Sequence, residues 1–266
     1  MSAVMAHGLA KKNGGIMRLR IDDIDGTRSR QEFVDAAIFD LEWLGLGWDG
    51  MVVFQSQRLD QYEAALAQLS AMGLIYPCFC TRSEIAAEVA ASISAPHEEF
   101  GPAYPGTCRH LSDDERMARF NEPHCWRLDM EKALAQTGAL QWEDSFAGTA
   151  DAEPQAAGDV VLARKDAPAS YHLASTLDDA AMGITDVVRG RDLFASTHIH
   201  RLLQALLDLP TPLYHHHPLI AGADGKRLAK RDAAMELAML RERGVDGAVL
   251  ADHLWNGRLP AGYSFL

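Results

Sequence analysis

Short β-branched runs alternate along this chain with stretches of helical periodicity, and that alternation points to an α/β fold. IMRLRI (16–21) reads as a strand running into an acidic cluster. Ser29 and Glu32 then have the spacing of a capping box, Val34, Ile38, Leu41 and Leu44 follow at helical spacing, and Gly45 suits the stop. A second amphipathic helix carries Leu59, Tyr62, Leu66 and Leu69 and ends near Gly73, while residues 2–12 read as a helix ahead of the first strand. The alternation resumes with VVLAR (160–164), a helix from about Tyr171, the strand ITDVV (184–188) and a helix capped by Ser196 or Thr197. A strand-like LYHHHPLI, a Gly- and Lys-rich loop and further helices complete the chain.

Between these blocks the texture changes. Residues 74–154 hold all four cysteines and over half of the eleven prolines. They carry short strands, CWRL (125–128) and ALQWE (139–143), and capping-box spacings at Thr81/Glu84 and Ser112/Glu115. The expected organisation is a first half of an α/β core over 1–73, a loop-rich insertion over 74–154, the second half of the core over 155–209, and a basic loop with a helical C-terminal segment over 210–266.

Composition excludes several classes. With 48% hydrophobic and 23% charged residues, 266 residues can bury a core, so the chain is not disordered as a whole. No apolar run approaches the ~18 residues of a membrane span. In MSAVMAHGLAKKNGG the lysines follow the apolar stretch, the wrong order for a secretory signal, so a cytoplasmic protein with no membrane partner is expected. Against 25 Lys and Arg stand 37 Asp and Glu, and no long basic run exists, which excludes nonspecific coating of nucleic acid but leaves room for a local RNA contact. Four cysteines are too few for a disulfide scaffold at this length.

Three constellations carry chemistry. Cys78 and Cys80, one residue apart, are followed by Cys108 in AYPGTCRH. Three thiolates from two loops would crosslink a segment with little core of its own around a tetrahedral zinc, although three unconnected reduced thiols satisfy the same spacing. Chemistry alone selects His110 or Cys125 as fourth ligand before Tyr104, because a phenol must lose a proton near pKa ~10. IDDID (21–25) places Asp22, Asp23 and Asp25 at a strand's C-terminal end, where open α/β sheets bind ligands, and a carboxylate there suits an ammonium group or a magnesium ion. Arg189, just after ITDVV, presents a planar fork suited to carboxylate or phosphate. A solvated acidic turn is the alternative for the aspartates, and a surface ion pair for Arg189. ADGKRLAKRD (223–232) sets Lys226, Arg227, Lys230 and Arg231 beside glycines, as a phosphate-handling loop or a merely solvated one would. His215, His216 and His217 alternate faces in a strand, so at most one faces a site.

In this order the pieces become specific. LRIDDIDGTRSR, WLGLGWDG, the Cys-Phe-Cys and Tyr-Pro-Gly-Thr-Cys pair, DVVLARKDAPASYHLASTLDDAAMGITDVVRGRDL and KRLAKR resemble the catalytic domain of the class I glutamyl-tRNA synthetases. The resemblance covers most of residues 1–235 and is most specific over 159–193. It implies a Rossmann-like catalytic core with a zinc-bearing insertion and a helical C-terminal segment, working as a monomer on L-glutamate, ATP with Mg2+, and tRNA. The length leaves no room for the C-terminal anticodon-binding domain of full synthetases. Together with the cysteine motif, this implies the short branch that transfers glutamate to the queuosine base of tRNA(Asp).

By position, the resemblance assigns Asp22, Tyr171 and Arg189 to glutamate, and Lys230, in the KMSKS-like Arg227-Leu228-Ala229-Lys230-Arg231, to ATP and catalysis. It names Cys78, Cys80, Tyr104 and Cys108 as ligands of one structural Zn2+. Asp22 stands where the family has Glu, one methylene longer, which leaves room for a bridging water. The family's first strand, PSPTG-like turn and HIGH motif would end just before Met1, and a chain lacking them is expected to activate glutamate weakly, since each lost preorganised donor costs ~10²–10³ in rate.

Overall fold

The computed structural model describes all residues except 25–28, 92–103, 165, 223 and 229–236. Along the chain run α1 (Ser2–Asn13), β1 (Arg20–Ile21), α2 (Gln31–Trp43), β2 (Val53–Phe54), α3 (Leu59–Ala71), β3 (Ile75–Cys78), α4 (Arg82–Ala91) and α5 (Asp113–Arg119). Then follow β4 (Cys125–Leu128), α6 (Met130–Thr137), β5 (Gln141–Asp144), β6 (Gly148–Asp151), β7 (Val161–Ala163), α7 (Tyr171–Ala181), β8 (Asp186–Gly190) and α8 (Phe194–Leu206). β9 (Leu213–His217), β10 (Ile220–Ala221), α9 (Leu237–Glu242), α10 (Gly247–Trp255) and β11 (Ser264–Phe265) complete the order. No described helix is long and apolar enough to cross a membrane.

The chain divides into two compact units. The first takes residues 1–54, 186–193 and 214–266. In it β1 pairs in parallel with β2, Arg20 opposite Val53, and α2 supplies the crossover that a parallel pair requires. β8 and β9 lie side by side, and β10 pairs antiparallel with β11. Its core gathers Val4, Leu44, Leu46, Leu250, Ala251 and Leu254, with Trp43 and Trp255 packed against them. Two glycines are dictated by close approach here: a Cβ on Gly8 would overlap the Trp255 indole, and one on Gly247 the main chain and ring of Trp43.

The second unit takes residues 55–185 and 194–213. It contains the antiparallel sheet β3-β4-β7 and the hairpin β5–β6, whose turn is closed by Asp144 Oδ1 accepting from the Phe146 and Ala147 amides at 2.9 Å each. Trp142 and Asp144 alternate inward on β5, as a strand with one buried face requires. The core takes Leu69 and Tyr62 from α3, Leu173 and Ala174 from α7, and Ile199, Leu202 and Leu203 from α8. Asp178, fully buried on α7, accepts from Gln55 Nε2 at 2.8 Å, Arg58 Nε at 2.6 Å and the Tyr62 hydroxyl at 2.9 Å.

Most expected elements are present, and the capping boxes at Thr81/Glu84 and Ser112/Glu115 both form. Ser29/Glu32 does not. Arg30 is the cap residue and uses no side-chain bond, so Glu32 falls at the second helical position, where a reciprocal box cannot close, and meets Arg30 at 3.3 Å instead. Ser196 and Thr197 lie inside α8 rather than ahead of it, because a short 3-10 turn at Arg191–Leu193 feeds the helix directly. The strand expected over 16–21 pairs only at Arg20–Ile21. Upstream, Met17 exchanges bonds with Asp49, its amide donating to Asp49 Oδ2 at 3.0 Å and its oxygen accepting from the Asp49 amide at 2.7 Å, so a loop holds that segment. β8 starts two residues later than ITDVV because the Ile184 amide bonds back to Asp179, which puts Arg189 within the strand rather than after it.

Candidate functional site

In the second unit β3 ends on Cys78, Cys80 follows in the loop beyond it, and the Phe79 amide between them donates to the Cys108 sulfur at 3.4 Å. Gly106, at φ +90, turns the chain into a 3-10 turn over Thr107–His110 that presents Cys108. The Cys80 and Cys108 sulfurs are 3.4 Å apart, and the ligand atoms of all three cysteines lie within 4.8 Å of one another. The Tyr104 hydroxyl is 3.4 Å from the sulfurs of both Cys78 and Cys80 and accepts from the Cys108 amide at 2.9 Å. His110 is exposed, and the Cys125 sulfur faces the Cys78 main-chain oxygen at 3.5 Å. Four sulfurs at ~2.3 Å around a tetrahedral zinc would sit about 3.8 Å apart, so this donor set has the size and softness for that ion.

The electrostatics of the cluster are uneven. A hydrogen bond with Cys125, helped by Tyr104 and Arg127 against the cost of burial, pulls the Cys78 thiol down to about 4. Burial pushes Cys80 up to about 12 and raises the Tyr104 phenol as well. A divalent cation binding here needs its thiols as thiolates, so binding releases protons and weakens as pH falls.

The residues expected to meet glutamate are distributed over both units. Asp22, in the first unit at the C-terminal end of β1, is exposed and accepts from Arg20 Nε at 2.7 Å. Arg189 is buried in the same unit, donates from Nε to His216 Nε2 at 3.1 Å, and lies 5.1 Å over the Tyr214 ring. Accepting that bond requires an unprotonated Nε2, so His216 acts as an uncharged prop. His215 bonds Asp186 at 2.9 Å, and His217 takes Ser2 at 2.8 Å, so each histidine of the triplet has a separate structural partner. Tyr171 opens α7 in the second unit, its ring 5.4 Å from that of His200 and 5.8 Å from that of His172. Lys230, Arg231 and Asp25 lie outside the described residues. Of the basic loop, Arg227 pairs with Asp192 at 2.6 Å, just beyond β8.

Sequence reasoning missed two supporting groups, His216 behind Arg189 and Arg127 behind the cysteines. Both were signalled by strand alternation: His216 is two residues from the Tyr214 that Arg189 overlies, and Arg127 two residues from Cys125.

Parallel strands joined by a helix, with a carboxylate and a guanidinium near the C-terminal ends of strands in that unit, make an α/β frame of the kind that binds ligands beyond its strand ends, and comparison gives the class as an α/β ligase of the class I synthetase type. The chain belongs to the family described as tRNA synthetases class I (E and Q), catalytic domain, whose model matches residues 1–255. It is 44% identical over 254 residues to the Glutamyl-Q tRNA(Asp) synthetase of Rhodobacter capsulatus, covering 93% of this chain and 90% of that one. It is 43% identical to the protein of the same name from Symbiobacterium thermophilum, covering 95% and 79%. Among solved structures it resembles the glutamate tRNA ligase of Elizabethkingia meningosepticum, in complex with its amino acid, at TM-score 0.72 and 28% identity. That match covers 87% of this chain and 48% of the ligase, so the chain spans about half the ligase's length.

Proposed function

We propose that this chain activates L-glutamate with ATP and transfers the glutamyl group to the queuosine base of tRNA(Asp). The supporting observation is its 44% identity over nearly the whole length of a Glutamyl-Q tRNA(Asp) synthetase. In this reading a glutamate carboxylate attacks the ATP α-phosphate, pyrophosphate leaves, and a queuosine hydroxyl takes the acyl group from the adenylate. Asp22 receives the glutamate ammonium and Arg189 its carboxylate, while Tyr171 is assigned to glutamate by its place in the family motif. Lys230 offsets charge developing on the ATP phosphates, a charge that Mg2+ brought in with ATP would share.

Transfer of labelled glutamate tests this directly. Label should appear on tRNA(Asp) that contains queuosine and not on tRNA(Asp) lacking it, with glutamate-dependent pyrophosphate exchange accompanying it. Label on tRNA(Glu) instead would favour ordinary charging, the activity named for a Ruegeria pomeroyi relative, Glutamate--tRNA ligase 1, 38% identical to this chain. Exchange at the level of a blank would leave a noncatalytic binding protein.

The same reading places one structural Zn2+ on Cys78, Cys80, Cys108 and Tyr104. Bound there, the ion crosslinks two loops of the insertion proposed over 74–154. Elemental analysis of protein purified without chelator should find about one zinc per chain, and Cys108→Ser should lower that content and loosen this segment first in hydrogen exchange. Wild-type protein free of zinc would defeat the assignment.

A further inference from the structure

The cysteine cluster has a buried cation beside it that the ligand set leaves unexplained. Arg127 on β4 is only 9% exposed. Its NH1 donates to the main-chain oxygen of Asp159 at 2.7 Å, its Nε meets no acceptor, and no carboxylate is in ion-pair contact with it among the described residues. Its guanidinium carbon lies instead 3.9 Å from the centroid of the Tyr104 ring, close enough to Cys78, Cys125 and Tyr104 to feel their charges. A guanidinium is not buried without a counter-charge, and a main-chain oxygen supplies only a partial one.

The cluster supplies the rest. With Tyr104 ligating as a phenolate, three thiolates and one phenolate around one Zn2+ leave two net negative charges in a largely buried site. A single buried cation halves that charge. The ring contact adds geometry to charge: a guanidinium stacked on the face of Tyr104 fixes the ring plane and leaves the hydroxyl, at the ring's edge, aimed at the sulfurs. We infer that Arg127 is a positioning residue for the metal centre, giving the Cys78–Cys80–Cys108 site its counter-charge and holding Tyr104 in ligating orientation. This rests on the metal reading proposed above.

Zinc affinity separates the inference from a purely structural role. Full-length wild type, R127K and R127M are titrated against a chromophoric chelator in zinc-buffered solution, with far-UV circular dichroism of the zinc-loaded forms as the measure of folding. Loss of a group supporting a metal ligand lowers affinity about 10–100-fold. R127M should show that loss with an unchanged spectrum, and R127K, which keeps the charge, should recover most of it. Should R127M fail to fold, R127Q replaces it, and R127Q binding zinc as tightly as R127K overturns the inference. Wild type and R127M with equal zinc affinity also overturn it. Wild type that binds no zinc removes both the inference and the metal reading, whereas equal affinities remove the inference alone.

Discussion

Arg189→Ala should reduce glutamate-dependent pyrophosphate exchange by at least ~10²–10³, the usual cost of removing one preorganised donor from a desolvated site. The guanidinium is buried, propped through Nε by His216 and stacked over Tyr214, so its orientation is set before any substrate arrives. Arg189→Lys should recover little, because an ammonium can neither form the planar fork nor keep the Nε–His216 bond while reaching the same point. Calorimetry with glutamate alone should show binding lost in Arg189→Ala and kept in Lys230→Ala, whose defect falls on ATP-dependent steps. Equal glutamate affinities for the two variants would show that the carboxylate is bound elsewhere.

Asp178→Ala should destabilise the second unit by about 3–5 kcal/mol, the cost of removing one partner from a buried ion pair. The side chain is fully buried, and Arg58, Gln55 and Tyr62 all direct donors at it from the start of α3 and the turn before it. Each would be left facing a cavity. Against a typical domain stability of about 5–15 kcal/mol this is a large fraction, and urea unfolding should show it as a lower midpoint with a similar slope. Asp178→Asn should cost less, since it keeps the shape and one acceptor while surrendering the charge. A midpoint unchanged in Asp178→Ala would mean that water or a shifted side chain satisfies Arg58.

Much of this was legible in the sequence because the signals were local. Periodicity gave α2 and α3 almost to the residue, and the Ser112/Glu115 box is fixed by side-chain reach alone. The cysteine spacing likewise anticipates a cluster, since Cys78 and Cys80 are one residue apart and Cys108 comes from a second loop. What was not legible depended on partners distant in sequence. β2 is two residues long and exists as a strand only because Arg20–Ile21 lies beside it. The choice of Tyr104 over His110 at the sulfurs could not come from ligand preference, because it is decided by the turn after Gly106, the Cys108 amide and a guanidinium from another strand. Nothing local in the sequence marks Asp178 off from its neighbour Asp179, and only packing of α3 against α7 reveals it as the centre of a network.

The mutual fit of Gly8 with Trp255 and of Trp43 with Gly247 has a consequence for how the chain is made. These contacts join α1 and α2 to α10, so the core of the first unit is drawn from segments far apart in the sequence. During synthesis α1 can meet β8 before α10 emerges, but its Gly8–Trp255 contact waits until α10 has left the ribosome. The second unit is almost continuous in sequence and faces no such delay. The thiol cluster therefore has its complete protein surroundings while the unit bearing Asp22 and Arg189 is still open. In the order of biogenesis the unit proposed to hold the metal comes first, and the one holding these two glutamate contacts closes last.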